Sequence, residues 1–333
     1  MKILSLQNKD QNKWINFVHA HEHGSVFHTP FVMNLFERLE GFIPFSLALV
    51  GENDEISGLM TGIVQTLKLG ILAPLSRRVV SYSTPIFTED FTSEHMRLLT
   101  RKLDEYRAVY TEIRNNYISE ETRRKFHEVG YEYEDHLNIL IDLTNSHEQL
   151  WNDVHSKRRN EIRKAKKEGL TFRVFGEDEV QDAYSILKEV YDRARLPLFP
   201  ISFFTMGFVT STYEVGMRGF GAYYGDQMIG CMITLCYKDT IYDFFAGSIS
   251  KYYSKNPNDL IPWEVFIWGK DHGYKVFDFG GAGKPDQPYG VRDYKLKFGG
   301  GLVNYGRYTR IRNKNLYKLA ETGFRALQKM NMV

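Results

Sequence analysis

FSLALVGENDEISGLMTGIV, residues 45–64, and FGAYYGDQMIGCMITLCY, residues 220–237, follow one plan in two parts of a 333-residue chain. Each is an apolar run, a polar turn and a second apolar run, which is the pattern of an antiparallel hairpin. The turns are Gly51-Glu52-Asn53-Asp54 and Gly225-Asp226-Gln227. Helices are predicted ahead of each hairpin, at 9–23 and 29–39 in the first half and at 178–194 and 201–208 in the second. After each hairpin come a strand, a helix, a strand and a closing element. Strands are expected over 133–143 and 302–311, a short strand over 25–28 and a helix over 149–168. A repeat of this length is a duplicated domain, since solenoid periods are far shorter. The expected domains are residues 1–147 and 148–333. The expected class is α/β (α+β), with two mixed, mainly antiparallel sheets flanked by helices.

Composition narrows the function. Hydrophobic residues make up 43% and charged residues 25% of the chain, the balance of a globular protein. A net charge of +2 provides no global pull toward nucleic acid, so any basic site has to be local. Cys231 and Cys236 are five residues apart in one apolar run, on opposite faces of a strand, which argues against a disulfide. The opening MKILSLQNKD is too short an apolar run for a signal peptide, and no stretch reaches a membrane-spanning length. The expectation is a cytoplasmic protein, with contact to a membrane surface left open and its oligomeric state undetermined. His19, His21 and His23 alternate, but no further ligand of suitable type is near them in sequence, so no metal site is expected.

Two stretches carry more chemistry than connectors need. From Ser156 to Glu168, SKRRNEIRKAKKE holds seven basic residues. Arg159, Arg163 and Lys166 fall on one helical face, apart from Ile162 and Ala165, so a grip on phosphates stands beside a merely solvated surface. Residues 276–301, VFDFGGAGKPDQPYGVRDYKLKFGGG, run from a strand through a Gly-rich bend to a second Gly cluster. Between the clusters stand Asp286, Tyr289, Arg292, Asp293, Lys295 and Lys297. The Asp278-Phe279-Gly280 triplet lacks the other segments of a kinase, and Gly283-Lys284 lacks those of a phosphate-cradling P-loop. In an extended segment Lys295 and Lys297 would face one side and reach one pocket.

The unit of helices, hairpin and strand–helix–strand resembles an acyltransferase of the GNAT type. A tandem chain of this kind, with the RRNEIRKAKKEG helix and the YGVRDYKLKFGG ending, is similar to the Fem family of peptidoglycan-bridge aminoacyltransferases. The likeness spans nearly the whole chain and is strongest over residues 156–169, 193–204 and 277–299. It implies amide formation, with an aminoacyl group moving from aminoacyl-tRNA to an amine of a cell-wall precursor. It implies that Lys295, in the Tyr294-Lys295 pair, is the catalytic lysine, and that Arg193, ahead of the Leu196–Pro200 turn, holds the precursor's phosphates. The chain departs from the family pattern by lacking a long helical hairpin and by offering Arg38 where members use a phosphate-holding lysine.

Direct attack of an amine on an activated ester needs alignment and a donor for the developing oxyanion. Lys295 fits that donor, with Arg292 and Lys297 as near alternatives. Arg193, Tyr289, Arg292, Lys297, Asp278, Arg159 and Arg163 are the candidate substrate-binding residues. Asp278 is also a candidate general base, against the plainer role of capping the Gly loop. No tightly bound cofactor is expected, and aminoacyl-tRNA is the expected co-substrate. Acyl-CoA is the alternative donor, for an N-acyltransferase acting on a small-molecule or glycan-precursor amine, although Asn256-Pro257-Asn258-Asp259 stands where the usual pyrophosphate loop would be. A non-catalytic binding protein on the same fold is the third reading.

Overall fold

The computed structural model of the chain describes residues 2–6, 10–51, 54–67, 69–88 and 91–329. In chain order the strands are β1 Lys2–Ser5, β2 Phe42–Val50, β3 Ile56–Gln65, β4 Arg78–Ser81, β5 Ile86–Phe87, β6 Tyr110–Arg114, β7 Glu132–Glu134 and β8 Leu137–Asp142. They continue with β9 Leu170–Phe175, β10 Val215–Tyr224, β11 Gln227–Tyr237, β12 Thr240–Ser248, β13 Val276–Gly281, β14 Gly301–Asn304 and β15 Arg307–Ile311. One sheet runs β1-β2-β3-β4-β6-β15-β7, with β5 added beside β3; the other runs β14-β8-β13-β12-β11-β10-β9.

Read from β1 and from β9, the two sheets have the same pattern of strand directions. Four strands are antiparallel, the fourth and fifth are parallel, and the last two are again antiparallel. The hairpins quoted above are β2–β3 and β10–β11, at the second and third positions of each sheet. The expected class therefore holds: two mixed, mainly antiparallel sheets with helices.

The sixth position does not follow the sequence halves. β15 fills it in the first sheet and β8 in the second. The compact units are accordingly Met1–Asp135 with Tyr305–Val333, and His136–Asn304, in place of 1–147 and 148–333. The strand expected over 133–143 is two strands, β7 and β8, in different sheets, and the one expected over 302–311 divides likewise into β14 and β15. The breaks fall at the polar run Glu134-Asp135-His136 and near Gly306, but residue pattern says nothing about which neighbour a strand pairs with. At the second break the chain turns through Gly306 at φ +68°.

Three local expectations also change. Residues 25–28 form a 3-10 turn, Val26–His28, because Ser25 and the His28 ring bond to one another instead of extending. The helix expected over 149–168 is two helices, His147–Asp153 and Ser156–Lys167, each with its own side-chain cap: Ser146 Oγ accepts from the Gln149 N–H, and His155 Nδ1 from the Lys157 N–H. The segment carrying Lys295 is a short helix, Gly290–Leu296, and not an extended strand.

Each unit has its own core. In the first, Leu47, Met60, Leu99, Phe126 and Tyr308 pack together between sheet and helices. In the second, Phe266 of the Pro257–Asp271 helix meets the edges of Phe277, Phe279 and Phe298, with ring centroids 4.9, 5.7 and 6.0 Å away. Cys231 and Cys236 are buried and free.

Candidate active site

β12 and β13 pair in parallel through Thr240↔Val276, Ile241↔Phe277 and Tyr242↔Asp278, and there the pairing ends. β12 runs on to Ser248 and β13 to Gly281, so their C-terminal ends lie unpaired with each other. The ends of parallel strands at such an opening are where α/β sheets place ligands. Asp278 occupies the last rung and Asp243 the next position on β12.

Asp278 is 5% exposed. Its carboxylate accepts from the Gly280 N–H at 2.7 Å and from Asn138 Nδ2 of β8 at 3.3 and 3.4 Å. Gly280 reaches that position with φ +72°, a conformation other residues adopt only under strain. Burial pushes the Asp278 carboxyl up to about 6, while these hydrogen bonds and the Lys295 charge pull the other way. Burial likewise pushes the Asp243 carboxyl up, with Lys295 opposing it. A carboxyl that ionises near pH 6 is matched to proton abstraction at neutral pH.

Lys295 reaches the same place from the Gly290–Leu296 helix, and its Nζ donates to the Phe279 carbonyl at 2.5 Å. That helix is fixed at both ends. At its start, Arg292 donates to the Lys284 and Gln287 carbonyls, both at 2.6 Å, and to that of Ala282 at 3.4 Å. At its end Phe298 is 1% exposed in the core, and burying such a ring is worth roughly 1.5–3 kcal/mol. Gly299 then turns the chain at φ +91° directly against Asp153. The outcome is one ammonium whose charge acts on two desolvated carboxyls at the open end of two strands.

The other expected site residues fall into different settings. Lys297 is the C-cap of the helix, and two residues along a helical turn it lies about 200° around the axis from Lys295. The expected shared side is therefore wrong. Its backbone carbonyl accepts from the His155 N–H at 2.9 Å. Tyr289 precedes the helix, half exposed, with its ring beside Gly283. Arg159 donates to the Trp151 and Asn152 carbonyls, capping the end of the preceding helix. Arg163 is exposed, bonded to Asn160 and lying 5.1 Å over the Trp151 ring. Arg193 belongs to another network, donating to Glu189, Ser250 and the Tyr253 hydroxyl beyond the end of β12.

Four residues escaped the sequence reading: Asp243, Asn138, Arg158 and Asp259. Arg158 pairs with buried Asp259, lies 4.6 Å over the Tyr294 ring and stands 6.0 Å from the centre of the Phe298 ring. Tyr294 in turn donates to the Asn258 carbonyl at 2.5 Å. Arg158 thus clamps the residue next to Lys295. Helical spacing held the signal for it, because Arg158, Ile162 and Ala165 share one stripe and the latter two are buried. Asn138 and Asp243 had no local signal, since only the sheet register brings them to Asp278.

Among the described residues, no three His, Cys, Asp or Glu side chains are grouped to hold a metal ion. No helix there is long and apolar enough to cross a membrane.

With the geometry in place, comparison with known proteins is informative. Residues 153–296 match the acetyltransferase (GNAT) domain family. That stretch is similar to a GNAT acyltransferase domain. The match covers the opened β12–β13 pair and the Lys295 helix. FemX has the same fold, with a TM-score of 0.72 at 14% identity over 96% of this chain and 99% of FemX. The C-terminal domain of an Agrobacterium fabrum protein assigned as a lysylphosphatidylglycerol synthetase superposes with a TM-score of 0.62 at 12% identity, covering 96% of each chain. A tandem GNAT protein from the clavulanic acid pathway does so with 0.54 at 9% identity, covering 92% of this chain and 97% of its own. The fold is thus the FemAB-like tandem GNAT arrangement expected from the sequence. No curated protein matches by sequence.

Proposed function

We propose that this acyltransferase moves an aminoacyl group from aminoacyl-tRNA to an amine, forming an amide, and that the acceptor is a cell-wall precursor. The observation that carries the reading is the Lys295 ammonium held at the open ends of β12 and β13 beside Asp278. In the step proposed, the acceptor amine attacks the ester carbonyl carbon. Lys295 offsets the charge on the resulting oxyanion. Asp278 takes the proton that the amine loses as the C–N bond forms. The ester C–O bond then breaks, and Asp278 returns that proton to the departing ribose oxygen, which leaves as the hydroxyl. No covalent enzyme intermediate is required. Arg193, exposed beside Ser250 and Tyr253, is the proposed contact for phosphates of the acceptor.

The donor assignment has local support in the start of the Pro257–Asp271 helix. An acyl-CoA pyrophosphate would need free N–H groups there. Pro257 has none, the N–H groups of Asp259 and Leu260 both point to the Asn256 carbonyl, and an acidic side chain occupies the first turn. The fold likeness to FemX and to the assigned lysylphosphatidylglycerol synthetase points the same way. The test is mass spectrometry of amine acceptors after incubation with aminoacyl-tRNA or with acetyl-CoA. Product from aminoacyl-tRNA alone is expected, and product from acetyl-CoA alone would overturn the donor assignment.

A further inference from the structure

The segment between β12 and the Pro257–Asp271 helix is SKYYSK, a 3-10 helix over Ser250–Lys255. Its side chains build an aromatic and cationic surface with the end of β10. Tyr224, 43% exposed, stands 6.2 Å from the Tyr252 ring at 50°. Lys255 Nζ lies 4.1 Å over the Tyr224 ring, and Lys251 Nζ lies 4.7 Å over the Tyr252 ring. The Tyr252 hydroxyl donates to Gln227 Oε1 at 2.7 Å, which fixes that ring in place. Each ring thus carries an ammonium, and Tyr224 keeps a large part of its surface open to solvent.

Such pairs of rings and cations suit an unpaired nucleic-acid strand, whose bases stack on aromatic faces while its phosphates meet nearby ammonium groups. The surroundings are basic. Lys255 also contacts Glu168 at 3.4 Å, at the end of the Ser156–Lys167 helix, where Arg163, Lys164, Lys166 and Lys167 are exposed. Glu168 and Glu264 are the carboxylates set against these cations, the latter 2.5 Å from Lys166. The segment is also tied to the site: Asn258, three residues beyond Lys255, accepts the Tyr294 hydroxyl beside Lys295.

We infer that Tyr224 and Tyr252, with Lys251 and Lys255, form a stacking platform for the unpaired 3′ strand of an RNA. The inference rests on the aminoacyl-tRNA reading above and adds where that donor's single-stranded end is held. It also gives the SKYYSK segment a role where a pyrophosphate loop would otherwise stand.

The test is fluorescence anisotropy with two probes: a short single-stranded RNA ending in CCA, and a blunt RNA hairpin with no unpaired end. The single strand is expected to bind more tightly than the hairpin. Tyr224→Leu and Tyr252→Leu should each weaken it by about 10-fold or more, the loss of one stacked base. Tyr224→Phe and Tyr252→Phe keep the ring and should bind like the wild type, which separates lost stacking from lost fold. Lys251→Gln with Lys255→Gln should flatten the dependence of affinity on salt. Leu variants with wild-type affinity, or a hairpin bound as well as the single strand, would overturn the platform. The donor reading fails separately: Tyr-dependent RNA binding without transfer from aminoacyl-tRNA leaves the platform standing. Transfer with an unchanged KM in the Leu variants rejects the platform and keeps the donor.

Discussion

Asp278→Asn should make the protein more stable and nearly inactive, and the two effects have one cause. The wild-type carboxyl is buried and its folded value rises from 3.8 to about 6. At about 1.4 kcal/mol per pKa unit, the ionised group costs the folded state roughly 3 kcal/mol above pH 6. Below about pH 4 the group is protonated in both states and costs nothing. Between those limits the folded state binds more protons than the unfolded state, so wild-type stability from this group falls as pH rises. Asn removes the charge, keeps an oxygen for the Gly280 N–H, and can pair with Asn138 once that amide is flipped. Urea unfolding should then show the variant more stable by about 1–3 kcal/mol at pH 7.5, with little difference at pH 4. Turnover should fall by about 100- to 10,000-fold, as expected for loss of a general base, and the rise in rate through pH 6 should disappear. Equal stability of the two proteins at pH 7.5, or a gain independent of pH, would refute the reasoning.

Arg158→Met leaves Asp259 buried without its partner and should cost about 3–5 kcal/mol at neutral pH. Burial already pushes the Asp259 carboxyl up, so the loss should shrink on acidification, and a second change, Asp259→Asn, should recover much of it in chemical denaturation. Gly299→Ala places a Cβ 2.7 Å from Asp153 Cβ and 2.8 Å from its backbone at a positive φ. It should lower stability by more than about 1 kcal/mol, and a thermal melt at or above wild type would contradict that strain. Replacing Arg163 and Lys166 by Gln should weaken tRNA binding and reduce its salt dependence, whereas an unchanged salt slope would make them ordinary surface charges.

The hairpins, most helices and the repeated element order were legible because each rests on local periodicity. The exchange of β8 and β15 was not, because strand pairing is a long-range choice that leaves no mark on alternation. The same limit shaped the site. Lys295 and Asp278 stood out in one stretch flanked by Gly, but the helical conformation of residues 290–296 overrode the apparent alternation of Lys295 and Lys297. Arg159 looked like a ligand for phosphate and Arg292 like a substrate contact, yet each donates to backbone carbonyls. The half-buried Arg158 beside Arg159 was readable in principle from the Ile162–Ala165 stripe.

The most direct test of the account is single-turnover transfer from aminoacyl-tRNA by the Lys295→Met and Lys297→Met variants. If Lys295 offsets charge that appears only as the tetrahedral species forms, its loss should slow the step by about 100- to 1000-fold with substrate affinity little changed. Lys297, on the other side of the helix, should matter far less. A Lys295→Met protein with near-normal single-turnover rates would contradict the central claim.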